Sequence, residues 1–313
     1  MIITRNHLHV EWKERLLQVR QRIGSTTLYT FRHLYPRPGV CIQAKLEWEQ
    51  LGGSIKARPA LRIMETAIES GKLNPNKILI DASNGNMGMA YAAIGKELGL
   101  AVALCLPEDT SCERKEILRS LGAQLIYTPA ADGINGAIRK AREIARLHPT
   151  LYYYADQYQN DANWLAHYFG TAEELFRQSP EMTHFVAGLG SAGTFAGISR
   201  RIKDSKPCIQ TISLQPNATL HSIEGWIKPG SSGIPGLYDP SIADEMLTVT
   251  NEEVSNMAQR IYHTEGLQLS PSAAANIAGA VKVADRLKQG TVVTVLADQV
   301  DPSESLYQNR AAG

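Results

Sequence analysis

Lys56 has more chemistry within reach than any other single residue of this 313-residue chain. It stands in Gly52-Gly53-Ser54-Ile55-Lys56-Ala57-Arg58, just after the extended-looking run from Val40 to Glu47. Two glycines let the chain turn sharply, Ser54 has the side chain of a helix cap, and the lysine then falls in the helix's first turn. A cation there opposes the helix dipole, and partial burial further disfavours its charged form. Such an amine suits Schiff-base formation with a carbonyl group. Taken alone, the same pattern more often marks a solvated surface lysine, so its neighbours elsewhere in the chain decide.

Two further segments run strand, small polar turn, helix start. The first is Ile78-Leu79-Ile80-Asp81-Ala82-Ser83-Asn84-Gly85-Asn86-Met87-Gly88; the second is Phe185-Val186-Ala187-Gly188-Leu189-Gly190-Ser191-Ala192-Gly193-Thr194. Backbone N–H groups at the second turn, with the Ser191 and Thr194 hydroxyls, suit a phosphate. A glycine-rich turn of this kind can equally be tight packing. No Gly-Lys-Ser/Thr follows it, and no acidic residue stands where a dinucleotide site would need one.

These segments resemble the pyridoxal-phosphate enzymes of the cysteine synthase and cystathionine β-synthase family, from about Gly24 to Leu296 and in the family's order. Lys45-Leu46-Glu47 followed by Gly53-Ser54-Ile55-Lys56 is similar to the segment with the Schiff-base lysine, which implies that role for Lys56. Ser83, Asn84, Gly85 and Met87 fall in the loop that holds the substrate carboxylate, and Asn86 matches the asparagine that contacts the cofactor's ring hydroxyl. Gly190, Ser191, Ala192, Gly193 and Thr194 resemble the phosphate cup, and Ser272 matches the serine facing the pyridine nitrogen. Gln157, followed by Asn163 and His167, falls where a substrate-contacting glutamine is expected; His167 itself reads as structural rather than catalytic. Pro107-Glu108, Ser111 and Glu113-Arg114 match a further, structural stretch.

The departures concern the substrate. Ala57 replaces an aspartate usual in the family, and Ser83, Asn84 and Met87 stand in a loop that usually reads Thr-Ser-Gly-Asn-Thr-Gly. Two hydroxyls become an amide, which can donate, and a thioether, which cannot. Ala192 stands where glycine is common, an exchange tolerable only where the backbone needs no positive φ.

The elements that must position these residues alternate. Strand-like runs at 40–46, 77–81, 101–106, 124–127, 151–154, 184–186, 209–214 and 291–296 are separated by helical patterns. That alternation predicts an α/β protein with mostly parallel sheets covered by helices. The length exceeds one compact core. The resemblance implies fold type II, like the tryptophan synthase β-subunit: a small mobile domain at 47–155 and a large one from 1–46 plus 156–313. With 43% hydrophobic and 20% charged residues the composition is ordinary, and a net charge of +1 gives no electrostatic case for nucleic acid or anionic membrane. No apolar stretch reaches the ~18 residues that span a bilayer. The four cysteines and eight histidines have no metal-ligand spacing, so no metal is expected, and a reducing cytoplasm fits the scattered thiols. Cys41 and Cys105 read as buried hydrophobes.

The resemblance implies β-replacement on an activated serine, O-acetylserine or O-phosphoserine, through an aminoacrylate and with a sulfur nucleophile. A neutral hydroxyl at Ser272 need not keep the pyridine nitrogen protonated, which limits carbanion build-up on the ring and favours elimination and replacement over transamination. An amine nucleophile is the alternative, since an aliphatic side chain often stands at the position of Met87 in such enzymes. A non-catalytic, binding or regulatory member is the other. A homodimer is implied. The irregular stretch 216–240, with His221, Glu224, Trp226 and Lys228, reads as exposed loop or as a lid.

Overall fold

The computed structural model describes residues 12, 14–217, 223, 225, 226 and 237–300. They fall into two compact units. One takes the residues up to Gly24 and Gln50–Ala162; the other takes Ser25–Glu49 and the residues from Asn163 onward.

The first unit is built on a four-stranded, all-parallel sheet. Its strands are β3 (Ile78–Ala82), β4 (Val102–Pro107), β5 (Gln124–Thr128) and β6 (Tyr152–Tyr154), in the order β5-β4-β3-β6. The central strand β4 is buried along its whole length, as a strand covered by helices on both faces must be. Alternate residues feed two cores. Leu79, Leu104 and Leu106 pack with Met64 of helix α1 (Ala57–Glu69) and Ile94 of α2 (Asn86–Leu98). Ile80, Ala103 and Cys105 pack with Ala137 and Ala141 of α4 (Gly133–Leu147). Helix α3 (Cys112–Ser120) starts at Ser111, whose Oγ accepts the Arg114 N–H at 3.3 Å, so this stretch has the structural role expected of it.

The second unit has six strands in the order β1-β2-β10-β7-β8-β9. They are β1 (Leu28–Thr30), β2 (Val40–Leu46), β7 (His184–Gly188), β8 (Gln210–Pro216), β9 (Glu245–Val249) and β10 (Gly290–Leu296). Only β1 runs antiparallel; β2 pairs with β10 in parallel, Ile42 against Val292. Helices α8 (Asn251–Glu265) and α9 (Pro271–Ala284) cover one face. The small residues of α9 bring it close: a Cβ on Gly279 would meet the Leu214 side chain at 2.3 Å. Between α5 (Ala162–Ala166) and α6 (Ala172–Gln178) the helix widens into one π turn, His167–Thr171, a feature that often marks functional sites. Lys45 of β2 is fully buried, its ammonium 2.8 Å from Glu174 and donating to the Thr26 carbonyl and to Gln178.

Of the cysteines, Cys105 is fully buried, Cys41 is half-buried, and Cys112 and Cys208 are exposed. Burial pushes the Cys105 thiol up to about 12 and raises that of Cys41 as well. Among the described residues, no helix is long and apolar enough to cross a membrane, and no side-chain cluster could hold a metal ion.

Candidate active site

In the first unit, Lys56 caps its helix instead of falling in the first turn. Helix α1 begins at Ala57, and Lys56 is its N-cap residue, with φ −71° and ψ −14°. Ser54 does not cap the helix; its Oγ instead accepts the Lys56 N–H at 3.3 Å. The turn before it needs both glycines, at φ +86° for Gly52 and +65° for Gly53. A Cβ at Gly52 would also crowd the backbone of α2, coming 3.3 Å from the Ala90 Cα. Lys56 is half-buried there.

The loop after β3 closes on Ser83. Its N–H donates to the Cys105 carbonyl, extending the ladder, and its Oγ accepts the N–H groups of Gly88 at 2.9 Å and Gly85 at 3.4 Å. Asn84, Gly85 and Asn86 remain half-buried at the turn, with Asn86 opening α2. Met87 is buried and packs in the core with Leu104 and Met64. Gln157 is brought to the same loop: its side-chain amide donates to the Ala82 carbonyl at 3.0 Å.

Asp81, which the sequence reading passed over, ties these pieces together. Its Oδ1 accepts the Ala82 N–H at 2.8 Å and its Oδ2 accepts the Gln157 N–H at 3.2 Å. Full burial pushes the carboxyl up to about 7 despite those two donors, and the neighbouring Asp156 charge adds to the rise. The signal in the sequence was an acidic residue next to the end of an otherwise apolar strand, just before the loop.

In the second unit, β7 runs through Gly188 into the Gly190–Thr194 turn, and helix α7 (Gly193–Ser205) starts inside it. The N–H groups of the first helical turn have no partner within the helix and point out of its N-terminus. Ala192 sits at φ +64°, so alanine replaces the common glycine at a position whose backbone does adopt the left-handed conformation. An αL residue next to a helix start turns successive N–H groups toward one point. The hydroxyls are held from the π turn and the helix before it: the Asn163 amide donates to Ser191 Oγ at 3.2 Å, and His167 Nε2 lies 3.3 Å from Thr194 Oγ1. The buried His167 has Thr171 against its other nitrogen at 2.9 Å, a structural role as expected. Gly193 is demanded by Asn163, whose Oδ1 would lie 2.0 Å from an added Cβ. From the irregular stretch, Trp226 packs against the core, and its indole leaves no room for a side chain at Gly188; His221, Glu224 and Lys228 lie outside the described residues.

Ser272 is the second residue of α9, which Ser270 caps by accepting the Ala273 N–H at 3.2 Å. Asp298 reaches both hydroxyls. Asn276, one turn further along, accepts the Gly188 N–H and donates to the Val295 carbonyl, each at 2.8 Å. It thereby fixes the start of α9 against the strand end that leads to the Gly190 turn.

A cup of helix N-terminal donors with two oriented hydroxyls fits a phosphate dianion, and an amine at a turn fits a carbonyl. Comparison with known proteins agrees. The family described as "Pyridoxal-phosphate dependent enzyme" matches residues 19–298. The cysteine synthase of Aquifex aeolicus is 37% identical over 284 residues, covering 88% of this chain and 87% of that one. The O-acetylserine dependent cystathionine β-synthase of Bacillus subtilis is 33% identical over 305 residues, covering 94% and 98%. The crystal structure of an O-ureido-L-serine synthase superposes with a TM-score of 0.84 at 25% identity, covering 93% and 98%. With the Gly190 turn, the Lys56 turn and the asparagine loop all lying inside the matched span, the chain belongs to the pyridoxal-phosphate-dependent enzymes of the cysteine synthase and cystathionine β-synthase family.

Proposed function

We propose that the protein replaces the β-substituent of an activated serine, O-acetylserine or O-phosphoserine, with a sulfur nucleophile to give cysteine or a cysteine derivative. Pyridoxal phosphate, when bound, supplies the electron sink that acidifies the substrate's Cα–H and lets the β-substituent leave. The observation that carries the reading is the loop closed on Ser83, which holds Asn84 and Asn86 half-buried at a turn that follows directly on Ala82, where the buried Gln157 is bonded. That is a polar, donor-rich turn of the size a small amino acid's carboxylate needs.

Each residue then has one task. Lys56 holds the cofactor through Nζ and, released, takes the α-proton and returns it at the end. Asn86 and Ser272 address the cofactor ring, and Gly190, Ser191, Ala192, Gly193 and Thr194 take its phosphate. Ser83, Asn84, Gly85, Met87 and Gln157 receive the amino-acid substrate. The same resemblance supports a cytoplasmic homodimer.

A second reading keeps the reaction and changes the nucleophile to an amine or another non-sulfur group. It is favoured by Met87, which brings no hydroxyl to the loop, and by the likeness to an O-ureido-L-serine synthase.

The test is the visible spectrum of the purified protein before and after O-acetyl-L-serine or O-phospho-L-serine, followed by product analysis with sulfide or an amine. A band that shifts with one of them, and cysteine formed from sulfide, is the expected result. A band indifferent to both removes the activated-serine assignment and points to another amino acid or to a non-catalytic member. Lys56→Ala is expected to abolish turnover and covalent cofactor attachment with the circular dichroism spectrum unchanged. Retained turnover would take Lys56 out of the reaction.

A further inference from the structure

The four-stranded sheet parts between two of its strands just where the Ser83 loop begins. Strands β3 and β6 stay paired as far as Ile80 opposite Tyr154, and the Ile80 carbonyl accepts the Ala155 N–H at 3.0 Å. A continuing parallel ladder would next join the Ala82 N–H to the Ala155 carbonyl and the Gln157 N–H to the Ala82 carbonyl. Side chains take all four of these groups instead. Asp81 Oδ1 accepts the Ala82 N–H at 2.8 Å, and Asp81 Oδ2 accepts the Gln157 N–H at 3.2 Å. The Gln157 amide donates to the Ala82 carbonyl at 3.0 Å, and the Asn160 amide to the Ala155 carbonyl at 2.8 Å. Asp156 makes the departure from the strand: it sits at φ +48°, and its carbonyl accepts the N–H groups of Gln159 and Asn160.

The place where this happens is not arbitrary. Strands β4 and β5 follow β3 on one side, and β6 returns to its other side, so the order reverses between β3 and β6. Open α/β sheets take their ligands at such a reversal, in the crevice outside the carboxyl ends of the strands. Two of the four substituted bonds cross the gap, and both end on Gln157: Asp81 holds its backbone, and the Ala82 carbonyl holds its side chain. Both partners of Asp81 are N–H donors, so the position needs two acceptors on one small planar group. An ionised carboxylate has them; an amide of the same shape turns an NH₂ group against one of the donors.

We propose that Asp81 is a positioning residue for the amino-acid substrate: standing in for the ladder, it keeps the ends of β3 and β6 apart and holds Gln157 where its side chain meets the substrate's carboxylate. This rests on the reading that Gln157 receives the substrate. Asp81 itself touches neither substrate nor cofactor in this arrangement and acts through the Gln157 backbone.

The experiment combines residue-resolved hydrogen exchange of the substrate-free holoenzyme with a double-mutant cycle on KM. Both are run at about pH 8, above the value to which burial raises the carboxyl, so that both oxygens accept. The Gln157 backbone amide of the wild-type protein is expected to exchange slowly, and Asp81→Asn to speed it. The same variant is expected to raise the KM for O-acetyl-L-serine or O-phospho-L-serine about tenfold, the effect of one lost bond to a charged acceptor. Its kcat, cofactor content and circular dichroism are expected to stay close to wild type, the pattern of lost substrate binding alone. Gln157→Ala is expected to raise KM as well, and Asp81→Asn to add nothing further in that background.

An unprotected Gln157 amide in the wild-type protein overturns the proposal before any substitution is made. A KM unchanged in Gln157→Ala refutes the substrate role of Gln157, and the proposal with it. A KM that rises in Gln157→Ala but not in Asp81→Asn overturns the proposal and leaves that role standing. An Asp81→Asn effect that persists in full in the Gln157→Ala background also overturns it, because Asp81 would then act by another route.

Discussion

Asp81 concentrates a conflict that the fold tolerates in order to close one loop. Its carboxyl is buried, which favours the neutral form, yet both oxygens accept backbone N–H groups that favour the charged form; burial is the larger effect. The folded-state value is raised from 3.8 to about 7. A carboxyl raised in this way contributes stability that is fully present below its unfolded value and is lost as pH rises through the folded one. At roughly 1.4 kcal/mol per pKa unit the full loss has a ceiling of about 4 kcal/mol. Asp81→Asn cannot ionise, so urea unfolding from pH 4 to 7 is expected to show wild type losing stability relative to the variant, with the difference constant above pH 7. A difference that stays flat from pH 4 upward would mean the carboxyl titrates normally. Residues such as Lys56 and the Ser83–Met87 loop were legible because amine, glycine and amide types stand consecutively in the chain. Asp81 and Asp298 were not: each acts on a partner that only the fold brings to it, Gln157 in one case and Ser272 in the other. The conformation of Ala192 was hidden for a related reason. Alanine normally avoids φ near +64°, and only the turn into α7 shows that this one adopts it.

Among elements, the joint that matters most for the second unit is made by Asn276. This single buried amide satisfies an N–H at the end of β7 and a carbonyl near the end of β10. Asn276→Ala would leave both backbone groups buried without that partner, at about 1–3 kcal/mol each. The expected result is a loss of that order in unfolding free energy, together with weaker cofactor binding, since Gly188 leads into the Gly190 turn. A stable variant with unchanged affinity would show that the joint is redundant. The helices and central strands could be read from the chain because long periodic or fully apolar runs signal them directly. Strands β1 and β9 could not. Both lie at the edges of the six-stranded sheet, β1 spans three residues, and β9 is exposed along much of its length, so neither shows the pattern of a buried strand. The π turn was invisible for a different reason: it continues a helical pattern and alters only the winding.

At the scale of the molecule, the two units differ in how far the chain must travel to complete them. The four-stranded sheet is finished within about 75 residues, from Ile78 to Tyr154, whereas β2 must wait for β10 about 250 residues later. Non-local pairing is slow because the loop must close before any contact forms. In pulsed hydrogen exchange during refolding, the amides of Ile80 and Leu104 are expected to gain protection before those of Ile42 and Val292. Simultaneous protection would mean that the second sheet does not wait on its distant strand. The division into parallel sheets with helical covers was predictable from strand–helix alternation alone; the partner of β2 was not, since nothing local in Val40–Leu46 names a strand at the far end of the chain.

The placement of the thiols turns the protein into its own measuring device. Cys112 is exposed at the start of α3 in the first unit, and Cys208 is exposed just before β8 in the second. Cys105 is sealed in the core and Cys41 is half-covered, and both are held further from the reactive thiolate form. A maleimide dye or nitroxide label would therefore go preferentially to one site on each unit of the unmutated chain. The separation between those two labels, followed as O-acetylserine is added, would read out directly whether that compound changes the distance between the units.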